Sequence, residues 1–286
     1  EILKAQVLVG GQRLLERFKG HPAIKVPISG SLYRVIERVK REMEEGKDVV
    51  ILADGDPGFY GIGRMLAHAL GMDHVVIHPH ITTMQVAASR IKIPWHDIRT
   101  VSLHGRKDIQ PLFRALAKAD RVGVFTDPMF HPARVASELI QRGVDTFNMY
   151  VFEDLGLESE RIRYLELKEA KKNSFSDLNF IILNRIRSPE ITLPFGLDDD
   201  LFLHQRGLIT KKEIRAAGLS ALEIRPDQTV WDLGSGCGSV AIEASILARE
   251  GMVLAVERNP ERVQLIRQNL RRTGAYVVEA ICGEMP

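Results

Sequence analysis

Residues 231–243 read WDLGSGCGSVAIE. The short apolar run VWDL leads into glycines at every second position, Gly234, Gly236 and Gly238, and then into apolar residues at helical spacing. A turn of this kind sets backbone N–H groups and a helix N-terminus against a small ligand, and the missing Cβ atoms permit close approach. Three readings stand open here: a dinucleotide, S-adenosylmethionine, or a turn that serves packing alone. In the dinucleotide pattern a pyrophosphate meets the helix end, and an acid about 20 positions on bonds a ribose hydroxyl. Glu257 ends the next apolar run, Val253–Val256, where it could take both hydroxyls of an adenosine ribose in either ligand. Two features favour S-adenosylmethionine. Asp232 stands before the glycines, and an acidic entrance suits an ammonium and a sulfonium, whereas no pyrophosphate needs the helix end. The spacing, with Ser235 and Cys237 between the glycines, is also G-x-G-x-G and not G-x-G-x-x-G. A third apolar run ends at Cys282-Gly283-Glu284, where an acid could bond an adenine amino group.

A second glycine-bearing turn, ADGDPGFYGIG (53–63), also directly follows an apolar run. Asp54, Gly55, Asp56, Pro57 and Gly58 are turn formers, and Gly61 and Gly63 would allow another close approach. On residue types alone, a bare turn into a helix is an equal reading. His104 and Arg106 of SLHGR follow a further apolar run, the position where ligands bind in α/β sheets. His78 and His80 flank Pro79 and could form a metal pair, but no third ligand follows at suitable spacing, so no metal site is expected. Trp95 and Trp231 are expected to be packing residues.

The elements that must position these residues follow a βαβ rhythm. Apolar runs of strand length fall at 49–53, 75–77, 100–103, 122–125, 147–152 and 180–183. Amphipathic stretches lie at 32–45, 61–70, 83–89, 112–118 and 133–142. This alternation predicts an α/β protein with mainly parallel sheets. Beyond residue 187 come Pro189, Pro194 and Gly196 and the acidic run Asp198–Asp200, read as a linker. Thr210-Lys211-Lys212-Glu213 then matches a capping box and predicts a helix to about Leu222. A new series follows: strand 229–233, helix 239–249, strand 252–256, helix 260–272, strand 276–281.

Composition narrows the class. A chain of 286 residues has room for about two domains. Its 45% apolar and 27% charged content is that of a globular protein able to bury cores. With a net charge of +2 and no basic run beyond Lys-Lys pairs, a nucleic-acid partner is not expected. No apolar run nears the roughly 20 residues that span a bilayer, so no membrane partner is expected either. Two cysteines, Cys237 and Cys282, form no disulfide framework, and a reducing cytoplasm is the expected location. The chain begins at Glu1 and ends abruptly after a strand, so both ends are read as fragment ends.

The motifs carry a resemblance. Residues 229–284 look like the first half of a class I methyltransferase. With LITKKEIRAAGLSAL (208–222) ahead and LAVERNPERVQLIRQNLRRTGA behind, they closely resemble the decarboxylating C15-methyltransferases of corrin biosynthesis. Residues 1–184 resemble the class III, tetrapyrrole-type methyltransferases through GDPGFYG, HPHITTMQVAASR (78–90), SLHGR and VFEDLGLESERI (151–162). GDPGFYGIG and SLHGR stand nearest the C5-methyltransferases of the same pathway. Together the halves resemble the fused precorrin C5,15-methyltransferases.

That resemblance implies a class III tetrapyrrole-methylase fold of two α/β subdomains (1–187), a linker (188–209) and a partial Rossmann-like class I domain (210–286). It implies S-adenosylmethionine as cofactor, held in the first half by Gly55, Asp56, Phe59, Gly61, Thr82 and Thr83. In the second half the implied contacts are Thr210, Asp232, Gly234, Ser235, Gly236, Gly238, Glu257 and Gly283, although Thr210 reads equally as a plain N-cap. The substrate would be a carboxylate-rich tetrapyrrole, for which His104 and Arg106 are the first candidates as charge-assisted donors. His131, Arg134, Lys211 and Arg215 follow, with a solvated surface charge as the plainer reading of each. No catalytic residue is nominated, because transfer from a sulfonium asks mainly for alignment and dehydration. A homo-oligomer is expected. The class III pattern begins with a strand and Gly-Pro-Gly loop that this sequence lacks, and a class I domain needs about four more strands. Two alternatives stay open: an NAD-linked oxidoreductase fusion and a non-catalytic S-adenosylmethionine-binding assembly protein.

Overall fold

The computed structural model describes residues 1–205 and 207–284. The chain forms two compact units, Glu1–Val86 and Ala87–Pro286.

The first unit is built on β1 (Val7–Gly10), which α1 (Gln12–Glu16) links to β2 (Ile24–Pro27) and α2 (Leu32–Glu44) links to β3 (Val49–Ile51). The strands are all parallel in the order β2-β1-β3. Val7, Leu8 and Val9 are fully buried, as a central parallel strand covered on both faces requires. Val35 and Val39, one helical turn apart, seat α2 against β1. After β3 the GDPGFYG turn leads into α3 (Gly63–Leu70), and α4 (Thr83–Arg90) crosses from the first unit into the second. Residues 75–77, expected as a strand, form none. Val76 is 80% exposed, so the apolar run has no buried face to pair on.

The second unit holds two sheets. The first runs β4 (Arg99–Ser102), α5 (Gln110–Leu116), β5 (Arg121–Phe125), α6 (Pro132–Gln141), β6 (Phe147–Glu153), β7 (Arg161–Glu166), α7 (Leu167–Ala170) and β8 (Asn179–Arg185). Its order is β4-β5-β8-β6-β7, and only β4 and β5 are parallel neighbours. The expectation of mainly parallel sheets therefore fails here. β8 inserts antiparallel between β5 and β6, and β7 returns from β6 as a hairpin. β7 lacked a legible apolar run because its face is largely exposed. Gly123 of β5 is required by packing, since a Cβ there would sit 2.9 Å from the Phe180 ring.

The second sheet follows α8 (Lys212–Ala221): β9 (Thr229–Leu233), α9 (Ser239–Leu247), β10 (Met252–Glu257), α10 (Pro260–Thr273) and β11 (Val278–Cys282). All three strands are parallel, in the order β11-β10-β9. The Thr210–Glu213 capping box does not form, because the N-cap is Lys211. The preceding stretch is not bare chain, since Leu197 and Phe202 are buried in the core of this second sheet. Trp231 lies on the outer strand β9 and is 61% exposed, and Trp95 is 51% exposed, so neither is the packing residue expected. No helix among the described residues is long and apolar enough to cross a membrane.

Candidate functional site

The C-terminal ends of β9, β10 and β11 bring together most of the second set of candidates. Gly234, Gly236 and Gly238 all take positive φ (79°, 58° and 82°), a region that favours glycine. The N–H groups of Gly234 and Ser235 both donate to the Val256 carbonyl, pinning the turn to β10. Gly238 is the N-cap of α9, and a Cβ there would lie 3.0 Å from Ile266 of α10. Gly236 differs, since a Cβ there would meet nothing within 4 Å. Its glycine answers to conformation and to the open space before it, while Gly238 answers to packing as well. Asn269 of α10 donates to the Cys237 carbonyl (2.9 Å) and fixes the turn from behind.

Glu257 is buried at the end of β10. One of its carboxylate oxygens accepts from Gly236 N (3.0 Å) and the other from Asn259 N (2.9 Å). Each oxygen retains a second lone pair, so the carboxylate can still accept from a vicinal diol. Gly283 N donates to the Glu257 carbonyl (3.2 Å), which brings the end of β11 to the same edge. Asp232 is half-buried and accepts from Ala241 N in α9 (3.1 Å), while Ser235 Oγ donates to the Asp232 carbonyl (2.7 Å). Burial pushes the Asp232 carboxyl above the usual carboxylate range, and the charge of Glu257 adds to the push. A cation beside it would relieve both effects.

This edge fits S-adenosylmethionine. The Asp232 carboxylate offers a partner to the ammonium or sulfonium, and the α9 N-terminus suits the amino-acid carboxylate. Glu257 suits the ribose diol.

Thr210 is exposed just ahead of α8, and its carbonyl accepts from Arg215. Among the described residues no hydrogen bond joins it to the glycine turn. Arg215 is neither a substrate donor nor a solvated charge. Its side chain is fully buried, bonded to Glu243 Oε1 (2.9 Å) and Asp199 Oδ1 (2.7 Å), with a further bond to the Leu197 carbonyl. Glu243, also fully buried on α9, accepts from the N–H groups of Gly196 and Leu197 as well. This knot joins α8, α9 and the chain before them. Lys211 pairs with Asp199 (3.2 Å).

In the first unit the structure gathers Gly55, Asp56, Thr82 and Thr83. Gly55 has φ 68°, and a Cβ there would lie 3.7 Å from Thr83 N. Asp56 accepts from Gly58 N (2.7 Å) and His80 N (3.0 Å), tying its turn to the segment before α4. Thr82 and Gln85 bond reciprocally, a capping box opening α4. Gly61 is demanded by packing, since a Cβ would meet the Pro57 carbonyl at 2.6 Å. The Phe59 ring meets that of Tyr60 edge-on, centroids 5.0 Å apart.

His104 and Arg106 lie in the second unit, both exposed on the turn after β4. Gly105 N donates to Asp127 (2.9 Å), and Arg106 Nε donates to the Ser102 carbonyl (2.8 Å). Asp127, absent from the candidates above, also accepts from Phe130 N (2.7 Å). Burial would raise its carboxyl, but three backbone donors and His104 hold it below the usual range. Its position just past β5, before Pro128, was the available signal. His131 is the N-cap of α6, and Arg134 pairs with Glu138 (2.7 Å) on its surface. No cluster of three or more His, Cys, Asp or Glu placed for a metal occurs among the described residues.

Comparison with known proteins gives these halves a lineage. Residues 2–171 match the model of the Tetrapyrrole (Corrin/Porphyrin) Methylases, and residues 200–286 match a Precorrin methyltransferase domain. A precorrin-6Y C(5,15)-methyltransferase [decarboxylating] from Sinorhizobium sp is 31% identical across 100% of this chain and 69% of its own. A probable cobalt-precorrin-6B C(15)-methyltransferase (decarboxylating) from Sulfolobus acidocaldarius is 40% identical over 32% of this chain and 48% of its own. The solved uroporphyrin-III C-methyltransferase of Thermus thermophilus, in complex with S-adenosyl homocysteine, shares the fold at TM-score 0.51 and 20% identity. That match covers 64% of this chain and 87% of the neighbour. The chain belongs to the tetrapyrrole methylase family, in its precorrin-6Y C(5,15)-methyltransferase (decarboxylating) branch, which joins such a methylase to a second methyltransferase domain.

Proposed function

We propose that this chain methylates a corrin precursor at C5 and C15, with decarboxylation of the ring-C acetate, using S-adenosylmethionine in each half. The observation that carries the reading is the convergence of Asp232, the open turn at Gly236, Glu257 and Gly283 on one edge of a parallel sheet. The first half supplies the matching tetrapyrrole-methylase features, Gly55 and Asp56 against the Thr82–Thr83 segment.

When bound, S-adenosylmethionine supplies an electrophilic methyl group and a neutral thioether leaving group. The protein's part is to hold and dehydrate. Asp232 balances the donor's positive charge, and Glu257 orients it through the ribose. The glycine turn lets the backbone come close enough to exclude water, and the rate gain comes from alignment. His104 and Arg106, both exposed, would donate to the carboxylate arms of the tetrapyrrole in the first half. The Thr210 contact belongs to the same proposal, as do the division at 1–187, 188–209 and 210–286, a homo-oligomeric assembly and a cytoplasmic location.

The test incubates the protein with methyl-labelled S-adenosylmethionine and precorrin-6B or its cobalt form, and reads the product by mass spectrometry. Two methyl groups gained and one CO₂ lost are expected. Protein that binds S-adenosylmethionine yet adds no methyl to either substrate would refute the reading.

A further inference from the structure

β11 is the outer strand of its sheet, with β10 on one side. In the turn just before it, the Val277 carbonyl accepts from Val253 N of β10 (3.2 Å), while the carbonyls of Tyr276 and Val278 find their donor outside the sheet. An open row of this kind normally needs covering. Here one side chain from the methylase half meets its first turn. Arg142, at the end of α6, directs Nη1 to the Tyr276 and Val278 carbonyls (3.4 and 3.3 Å) and Nη2 to Glu279 Oε2 (2.9 Å). Its guanidinium lies 4.2 Å from the centre of the Phe113 ring of α5, and its side chain is 11% exposed. Gln110 of α5 donates to Glu279 as well (3.2 Å). Tyr276 completes the anchorage. It is 1% exposed within the core of the methylase half, its hydroxyl 2.6 Å from Thr146 Oγ1 and its ring edge-on to Phe147.

All these contacts fall at the start of β11. The strand then runs to Cys282, about 13 Å at roughly 3.3 Å per residue. At that far end Glu257 pairs with Cys282, and Gly283 N reaches the Glu257 carbonyl. A short outer strand is free to slide or fray unless its ends are fixed. The inner neighbour fixes one side, and Arg142 fixes the other.

We propose that Arg142 is a positioning residue for the methyl-donor edge of the second half: by capping β11 it makes that edge depend on the folded methylase half. The inference rests on the reading of the 232–283 edge as a donor site. Hydrogen-exchange mass spectrometry on the full chain tests it, with S-adenosylhomocysteine as the probe. Half-protection of residues 234–238 reports the second site, and half-protection of residues 55–61 reports the first. In Arg142→Gln the concentration that half-protects 234–238 is expected to rise about tenfold, equivalent to about 1.4 kcal/mol. The first site should be unchanged, and residues 278–282 should exchange faster without ligand. The KM for donor in C15 methylation should rise more than kcat falls, and Arg142→Lys, with one head in place of a fork, should recover only part. If Arg142→Gln does not fold, Arg142→Lys carries the same test, with a smaller rise at 234–238 and the first site again unchanged. Unchanged half-protection of 234–238 despite faster exchange in 278–282 would overturn the proposal, as would equal weakening at both sites. Wild-type protein showing no protection of 234–238 at all would instead bring down the donor-site reading itself.

Discussion

Asp232 carries the sharpest test of the second-half site at the scale of single residues. Its carboxyl binds a proton more readily folded than unfolded, because burial and Glu257 penalise the charge. Its contribution to stability is therefore present in acid and is lost as pH rises from the ordinary carboxylate range through the raised value. Asp232→Asn keeps an acceptor for Ala241 N and removes the charge. The unliganded variant should melt higher than wild type at neutral pH, with the gap closing as the pH falls and the native carboxyl takes up its proton. It should also bind S-adenosylmethionine at least tenfold more weakly by calorimetry. Gly236 and Gly238 separate in the same way. Alanine in the left-handed region costs about 1–2 kcal/mol at either site. Gly238→Ala adds a clash with Ile266 and should cost about 1 kcal/mol more in denaturant melts. Gly236→Ala should be the milder variant in stability and the more severe in donor binding, since its methyl would stand in the open space before the turn. Equal effects on both measurements would show that the two glycines do one job.

At the scale of elements, the knot of Arg215, Glu243 and Asp199 decides how α8 meets α9. Breaking a buried pair by removing one partner leaves the other charge uncompensated, at a cost of about 3–5 kcal/mol. Arg215→Met should therefore lower the urea midpoint of the second half strongly, whereas Lys211→Met, on an exposed pair, should shift it little. The elements also mark where sequence reading runs out. The runs at β5 and β10 were legible because strands at a sheet centre, buried on both faces, are continuously apolar. β7 was not, since its face is exposed, and the 75–77 run was apolar without being a strand. The capping box at 210–213 had the right residue types in the wrong register by one: Lys211 takes the N-cap, and the Thr210 carbonyl accepts from Arg215.

For the whole molecule, Tyr276 lets the second sheet share the core of the first within residues 87–284. Replacing a buried aromatic by alanine costs about 3–5 kcal/mol. Tyr276→Ala should accordingly shift the melting of both sheets together, read by exchange at β6 and at β10 in one experiment. Independent melting of the two would mean that the shared core adds little.

The sequence by itself determined the local conditions for chemistry. Glycines at 234, 236 and 238 permit a left-handed turn, and Asp232 and Glu257 are acidic residues at the ends of apolar runs, properties set by residue type and spacing alone. Tertiary structure alone decided which candidates share a surface and which are spent on the fold. It set Gly61 against the Pro57 carbonyl, spent Arg215 on a buried ion-pair knot, brought Gly283 to Glu257, and set Arg142 on an edge 134 residues away in the chain. The physical reason is that a side chain's role depends on what its polar atoms have left to bond after folding, and that remainder is fixed by contacts remote in sequence.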